Sequence, residues 1–337
     1  MSMLSRVAER IYWLGRYLER IENTARLVSV YGNVLLDLPR PATLQWDTLI
    51  AITGSAPAFT ERYTRADERN VVRFYLADDS NPASIVSSAD SARENARTVR
   101  EMIPASIWEG INDLHIYLEE NVDGALARRG RDAFLSRVIE YCQTLVGCMA
   151  GSMSRDAAYH FLRAGRYLER ADMTSRIVDV GTANVFPWLQ GQSQAQSQSQ
   201  EQGQAQRQGG RDDGAEDSPY EAILWMSVLR SLEALQMYRR QVPERVLADE
   251  VVDFLLRDEN FPRAVANCLM ALQSCLRHLP RNELALRTVA ATIKHVQEAN
   301  IAKLIAQHGM FDYIDRMQIE FNELHAAIRS TWFETAA

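Results

Sequence analysis

The chain has 337 residues, of which 47% are hydrophobic and 24% charged, the balance of an ordinary globular protein with a large core. A formal net charge of −7 argues against a general nucleic-acid binder, which carries an overall basic balance or a long basic run. No apolar run approaches the roughly 20 residues that cross a bilayer. The four scattered cysteines form no CxxC pair and predict buried free thiols in a reducing compartment. We therefore expect a cytoplasmic protein that binds neither membrane nor nucleic acid.

Apolar residues recur at helical spacing along nearly the whole chain, and the period-two alternation of strands is absent. The first predicted helix ends near Gly32 and carries a narrow apolar stripe: Val7, Ile11, Leu14, Leu18, Ile21 and Ala25. A long helix is predicted from Pro82 to about Met102, because proline is tolerated in the first turn of a helix. The last two predicted helices cover about 282–307 and 310–332. The predicted fold class is all-α.

An internal repeat organises the chain. Residues 15–20 read Gly-Arg-Tyr-Leu-Glu-Arg, residues 165–170 read the same, and an acid, a Thr and an Arg stay in register over the next six positions. A second match, Val71-Val72 with Val251-Val252, has an offset of 180 rather than 150. The additional residues of the second copy coincide with a Gln/Ser/Gly/Asp tract at 190–218, whose composition predicts disorder. The sequence therefore predicts a duplicated helical bundle with two pseudo-symmetric halves.

We place the first helical repeat at residues 1–152 and the second at 153–337, with the disordered Gln-rich insertion at 190–218. Duplication of this kind favours two halves that pack against each other about a pseudo-twofold axis. The two repeats are expected to form one compact body.

The first helix also carries a charged face opposite its apolar stripe. Glu9, Trp13, Arg16 and Arg20 lie on or close to one side of this helix, with Glu19 and Arg26 on its shoulder. The second copy keeps Arg166 and Arg170 on the same face. A further line of arginines includes Arg93 and Arg97. Its counterpart in the second half, residues 272–279, is apolar apart from Gln273, Ser274, Arg277 and His278.

Three interpretations of this face remain open. It can be a solvated surface with weak i,i+4 pairs, each worth about 0.2–0.5 kcal/mol. It can be a buried ion-pair network that joins the two halves. It can also be a concave site where arginines bind a carboxylate or phosphate by bidentate hydrogen bonds, which explains the exclusive use of Arg and the nearby aromatic residues. Familiar catalytic motifs are absent: no HExxH, no Glu-x-x-His, no phosphate loop and no GxSxG. No metal site is predicted.

Residues 6–26 resemble the signature of the Alpha-E family, bacterial all-helical proteins named for a Glu-Arg motif, and the resemblance extends over essentially the whole chain. It implies that Glu9, Arg16, Glu19, Arg20, Glu22 and Arg26 carry the motif, with a weaker copy on Arg166, Glu169, Arg170 and Arg176. The resemblance also implies partner proteins. These are a circularly permuted ATP-grasp ligase and often a transglutaminase-like protease, in a system that joins a carboxylate to an amine.

The function hypotheses follow from both lines of reasoning. The first is a helical partner or subunit of an ATP-grasp-type amide (peptide) ligase system, with an anionic substrate on the arginine face. ATP and magnesium would then belong to the partner, and this chain would hold no cofactor. The alternatives are a non-catalytic structural protein whose Glu-Arg pairs clamp the two halves, and a stand-alone amidoligase or transferase that uses Glu19 or Glu169 as a base.

Overall fold

The computed structural model describes residues 3–37, 46–201, 219–243 and 246–334, without the side chains of residues 34–37, 180, 183–201 and 219–221. No strand is present in these ranges, so the predicted all-α class is confirmed. The helices are α1 Ser5–Asp37, α2 Asp47–Ile52, α3 Ala56–Thr60, α4 Glu68–Leu76, α5 Ile85–Thr98, α6 Ala105–Ala125, α7 Arg128–Ser152, α8 Ala157–Glu201, α9 Pro219–Ser231, α10 Leu235–Gln241, α11 Ala248–Arg257, α12 Val265–Leu276, α13 Glu283–Gln297, α14 Ile301–Ala306 and α15 Met310–Trp332.

Capping residues correct two of the predicted helices. The helix predicted from Pro82 begins at Ile85, because the Ser84 side chain accepts a hydrogen bond from the Ser87 backbone N–H and caps the first turn. The helix predicted over 282–307 is two helices, α13 and α14. Asn300 caps α14 by accepting from the Lys303 N–H, and its extended backbone interrupts the helix.

The parallel helices α1 and α8 lie side by side at the centre of the packing. Residues in contact keep an offset near 150 along both helices, from Gly15 with Leu162, through Glu19 with Arg170, to Leu27 and Ile177, which line one pocket, so the two helices run in the same direction. The predicted apolar stripe of α1 is buried except at Val7, which is half-buried. The opposite face is buried too, since Glu19, Glu22 and Asn23 are each less than 5% exposed.

Glycine sets the separation of the two central helices. A Cβ built on Gly15 would clash with the carbonyl oxygen of Leu162, and a Cβ on Gly165 would clash with the carbonyl oxygen of Tyr12. Each contact is the counterpart of the other at an offset of 150. The repeated hexamer therefore begins with glycine because the two backbones touch at this position.

The outer helices follow the same order in both halves. α5 packs on α1 and α6, while α12 packs on α8 and α13, and α7 and α15 cover α1 and α8 respectively. These paired arrangements support the predicted duplication, which stays a prediction for the two halves as a whole. The predicted insertion at 190–218 covers the end of α8, whose side chains are not described, and residues 202–218 outside the described ranges.

Candidate functional site

The repeated Glu-Arg motif forms two groups of charged side chains between α1 and α8. We call the first the Glu19 cluster: Glu19, Glu22, Asn23, Arg26, Arg166, Arg170 and Arg263. The second is the Glu169 cluster: Glu169, Asp172, Arg16, Arg20 and Arg176. In each cluster a glutamate of one central helix accepts hydrogen bonds from arginines of the other.

Glu19 is surrounded by arginine. Arg170 binds its two carboxylate oxygens through Nε at 2.6 Å and Nη2 at 2.8 Å, and Arg166 Nη2 lies at 3.3 Å. The side chain of Glu19 has no exposed surface. A carboxylate without solvent needs these donors, because burying an unpaired charge costs several kcal/mol.

Arg263 closes the Glu19 cluster from the turn before α12. Its Nη1 donates to Glu19 at 3.3 Å and to the Asn23 side chain at 2.7 Å, and its Nη2 donates to Glu22 at 2.6 Å. Glu22 also accepts from Arg26 on its own helix, 3.0 Å away. Arg263 is not among the site residues that the sequence predicts. The available signal was an arginine in a position where the first copy has Ala83, at the offset of 180.

The Glu169 cluster is built in the same way but with fewer partners. Arg16 Nε lies 2.7 Å from Oε2 of Glu169, and Arg20 reaches the same carboxylate through Nε at 2.6 Å and Nη2 at 3.2 Å. The side chains of Arg16 and Arg20 are 13% and 19% exposed, against 5% for Glu169. Arg176 pairs with Asp172 at 3.0 Å at the edge of this cluster.

Aromatic rings line the accessible side of the Glu169 cluster. Trp13 and Tyr17 are one turn apart on α1, with ring centroids 5.5 Å from each other. The guanidinium of Arg16 lies 5.1 Å from the Trp13 ring centroid, and that of Arg20 lies 5.6 Å from the Tyr17 centroid. His325 of α15 completes this corner, with Nδ1 3.0 Å from the buried Tyr12 hydroxyl.

The charges set the ionisation of the two glutamates. Burial alone would raise the pKa of Glu19, but Arg170, Arg263 and Arg166 lower it far below the ordinary value. Burial opposes the arginines at Glu169 as well, and there Arg20 and Arg16 lower the pKa to about 2. Burial, together with Arg16 and Arg329, lowers the pKa of His325 to about 4, so this imidazole is neutral at pH 7.

The structure does not bring all of the predicted site residues together. Glu9 is half-buried on α1 and makes no ion pair or hydrogen bond within the described ranges. Arg93 donates to Asn112 at 2.7 Å and Arg97 pairs with Glu94 at 2.8 Å, both on the exposed surface of α5 and α6. The other predicted residues belong to the two clusters or, in the case of Trp13, to the aromatic corner.

Burial decides one of the open interpretations. A solvated face is wrong, because Glu19 and Glu169 are buried and bonded across two helices. The buried network is what the structure shows, and the Glu169 side leaves part of its arginine surface accessible. Within the described residues no group of three or more His, Cys, Asp or Glu side chains could hold a metal ion, and no helix is long and apolar enough to cross a membrane.

The fold and the clusters define an all-helical protein in which Glu-Arg pairs join two central helices. Residues 3–333 match the Alpha-E family, described as a predicted alpha-helical domain with a conserved ER motif. The chain belongs to this family.

Its curated relatives are much longer. Uncharacterized proteins of Mycobacterium bovis and Mycobacterium tuberculosis are each 25% identical to this chain over 293 residues. The match covers 82% of this chain but 30% of each relative, so the chain spans less than a third of their length. No solved structure matches the chain.

Proposed function

We propose that this chain is the helical partner of an ATP-grasp-type amide ligase, to which it presents an arginine face for an anionic substrate or intermediate. The ligase, of the circularly permuted kind, would bind ATP and magnesium and form the acyl phosphate. The observation that carries this proposal is the Glu169 cluster, which places two arginines against one carboxylate and leaves guanidinium surface open. Such forks bind carboxylate and phosphate oxygens bidentately.

The lengths of the relatives support a role beside other protein domains or subunits. In the mycobacterial proteins the matching region is joined to more than twice its own length of further chain. A helical unit that is covalently attached to other parts in its relatives is suited to work beside them. Docking of a ligase near α1 would place its acyl phosphate beside the arginines.

A pull-down tests the proposal. The tagged chain is purified from its own cells and the bound proteins are identified by mass spectrometry. We expect an ATP-grasp ligase in amounts comparable to the bait, retained in moderate salt. Its absence, with the ligase present in the same lysate, would overturn the partner proposal. A transglutaminase-like protease in the same sample would extend the complex.

The structural alternative also has an observation in its favour. Glu19 has no exposed surface and Arg166 and Arg170 are each 11% exposed, and these pairs hold α1 and α8 together. A purely structural protein would show similar burial in both clusters. The 19% exposure of Arg20 is the feature that it does not explain.

A stand-alone amidoligase or transferase fits the geometry least well. A general base works best with a pKa near the operating pH. The pKa of Glu169 is lowered to about 2, and its lone pairs are occupied by Arg16 and Arg20. Glu19 has still less freedom, because three arginines hold it.

A further inference from the structure

Arg20 and Arg170 occupy the same position of the two repeats but differ in how many guanidinium nitrogens have an acceptor. Arg170 of the Glu19 cluster has an acceptor for each of its three nitrogens: Glu19 for Nε and Nη2, and the Pro262 carbonyl oxygen for Nη1 at 3.5 Å. Arg20 uses Nε and Nη2 for Glu169, whereas its Nη1 has no acceptor among the described residues. Arg16 bonds to Glu169 through Nε and is also hydrogen-bonded to the Tyr12 hydroxyl.

The unused Nη1 of Arg20 is not sealed in the core. The polar side-chain atoms that are both buried and without a partner include Arg166 Nε but no nitrogen of Arg16 or Arg20. Nη1 of Arg20 is therefore accessible to solvent.

The surroundings fix the orientation of the donors. Arg16 and Arg20 are held by Glu169 on one side and by the faces of Trp13 and Tyr17 on the other. Guanidinium groups that are oriented in advance lose little entropy when they bind a ligand. The second copy lacks this corner, because Arg163 replaces Trp13 and donates to the Tyr167 hydroxyl at 2.6 Å.

We propose that Arg16 and Arg20, framed by Trp13 and Tyr17, form an oxyanion-binding site for a carboxylate or phosphate group, and that the Glu19 cluster is a structural clamp without a ligand. This rests on the proposed function and assigns its anion to one of two equivalent arginine pairs. Nη1 of Arg20 and the Nη hydrogens of Arg16 that do not bond to Tyr12 donate to the anion, while Glu169 keeps the Nε hydrogens and sets the angle of each fork.

A matched pair of variants tests the assignment. Arg20→Lys and Arg170→Lys remove the same fork from the same position of the two repeats. Binding of inorganic phosphate and of succinate to the full chain is measured by titration calorimetry at low salt, with chloride as the control anion. We expect saturable binding of at least one probe, weakened about tenfold or more by Arg20→Lys and less than twofold by Arg170→Lys. Preference for phosphate or succinate distinguishes a phosphoryl ligand from a carboxylate.

Glu169→Gln provides the opposite change. The amide oxygen of the new glutamine still accepts from the arginines and keeps them oriented, but the competing negative charge is gone, so phosphate binding is expected to tighten severalfold, whereas Glu19→Gln leaves it unchanged. If these variants fail to fold, the wild-type chain is treated with phenylglyoxal and modified arginines are mapped by mass spectrometry. Phosphate should then protect Arg16 and Arg20 but not the exposed Arg97.

Three results would overturn the inference: no saturable binding of either probe, equal weakening by the two lysine variants, or no selective protection. The pull-down is independent of these measurements. If the ligase is recovered but the chain binds no anion, the proposed site is wrong and the proposed partner stands. If the chain binds an anion but no ligase is recovered, the site stands and the partner is wrong.

Discussion

The Glu19 and Glu169 clusters contain the same hexamer but differ in the residues that close them. Arg263 covers Glu19 and bonds to Asn23. At the corresponding offsets the first half has Ala83 and the second central helix has Met173, neither of which can make this bond. Identical local sequence thus gives a glutamate with three arginine partners on one side and with two on the other, because the third arginine comes from a distant turn.

A second difference concerns the arginines that follow the hexamer. Arg26 pairs with Glu233 at 2.9 Å, whereas its counterpart Arg176 lies beside Gly54, which has no side chain to offer. Glu233 and Gly54 both have positive φ, 55° and 65°, and are 179 residues apart. The turn geometry is shared, and only the first central helix gains a carboxylate from it.

Removal of the central carboxylate should have the largest effect. We expect Glu19→Gln to lower the free energy of unfolding by about 3–5 kcal/mol, because three arginines lose their counterion in a site without solvent. Glu169→Gln should cost less, since Arg16 and Arg20 retain some water. Urea unfolding of both variants measures the difference. Equal losses would show that the two clusters are equally sealed.

The next prediction concerns Arg263, which bonds to the Glu19 cluster and is replaced by Ala83 at the corresponding offset of the first half. Arg263→Ala should destabilise by about 2–4 kcal/mol, because Glu19 and Glu22 lose a buried partner. The double variant Asn23→Met/Arg263→Ala copies Met173 and Ala83. We expect it to be more stable than Arg263→Ala alone, since Asn23 would no longer bury an unpaired amide oxygen. A double variant with purely additive losses would contradict this.

Glycine substitutions test the contact that both halves share. Gly15→Ala and Gly165→Ala should each destabilise by about 1–3 kcal/mol, because the added methyl group meets a carbonyl oxygen of the other central helix. Gly147→Ala on α7 is the control. Nothing lies within 4 Å of its Cβ position, so we expect a gain of up to about 1 kcal/mol. Thermal melts report all three, and unequal losses at Gly15 and Gly165 would argue against their equivalence.

The pH dependence of stability should report on His325, which lies beside the Glu169 cluster. The folded-state pKa of His325 is about 4, below its ordinary 6.5, so its stabilising contribution is present above pH 6.5 and lost as the pH falls towards 4. Burial and the adjacent His278 lower the pKa of His160, which acts in the same direction. We expect stability to decline from pH 6.5 to 4, and His325→Gln to reduce this decline. An unchanged profile would remove His325 as a cause.

The exposed arginines should matter least. Arg97→Ala removes an exposed pair with Glu94 and is expected to change stability by less than about 0.5 kcal/mol. The same variant is expected to leave phosphate binding intact. A larger change in either quantity would show that the α5 surface belongs to the site.

Several features of the fold were accessible from the sequence alone. Helical class follows from local periodicity, and the repeated hexamer indicated which residues of α1 and α8 are equivalent. The sequence also identified the charged residues of the motif, but not which of them form ion pairs with each other. The residues at which helices begin were harder to predict, because Ser84 and Asn300 cap helices through side-chain hydrogen bonds that hydrophobic periodicity does not report.

Only the tertiary structure decided which charges are buried and which remain accessible. Arg263 reaches Glu19 from 244 positions away, and His325 meets Tyr12 from 313 positions away. Helical spacing describes contacts within about one turn, whereas burial depends on every helix that packs on a face. The sequence by itself therefore determined a duplicated Glu-Arg motif on two helices, and packing decided that Arg263 joins one copy and that Arg20 of the other stays the most exposed of the arginines that bind the two glutamates.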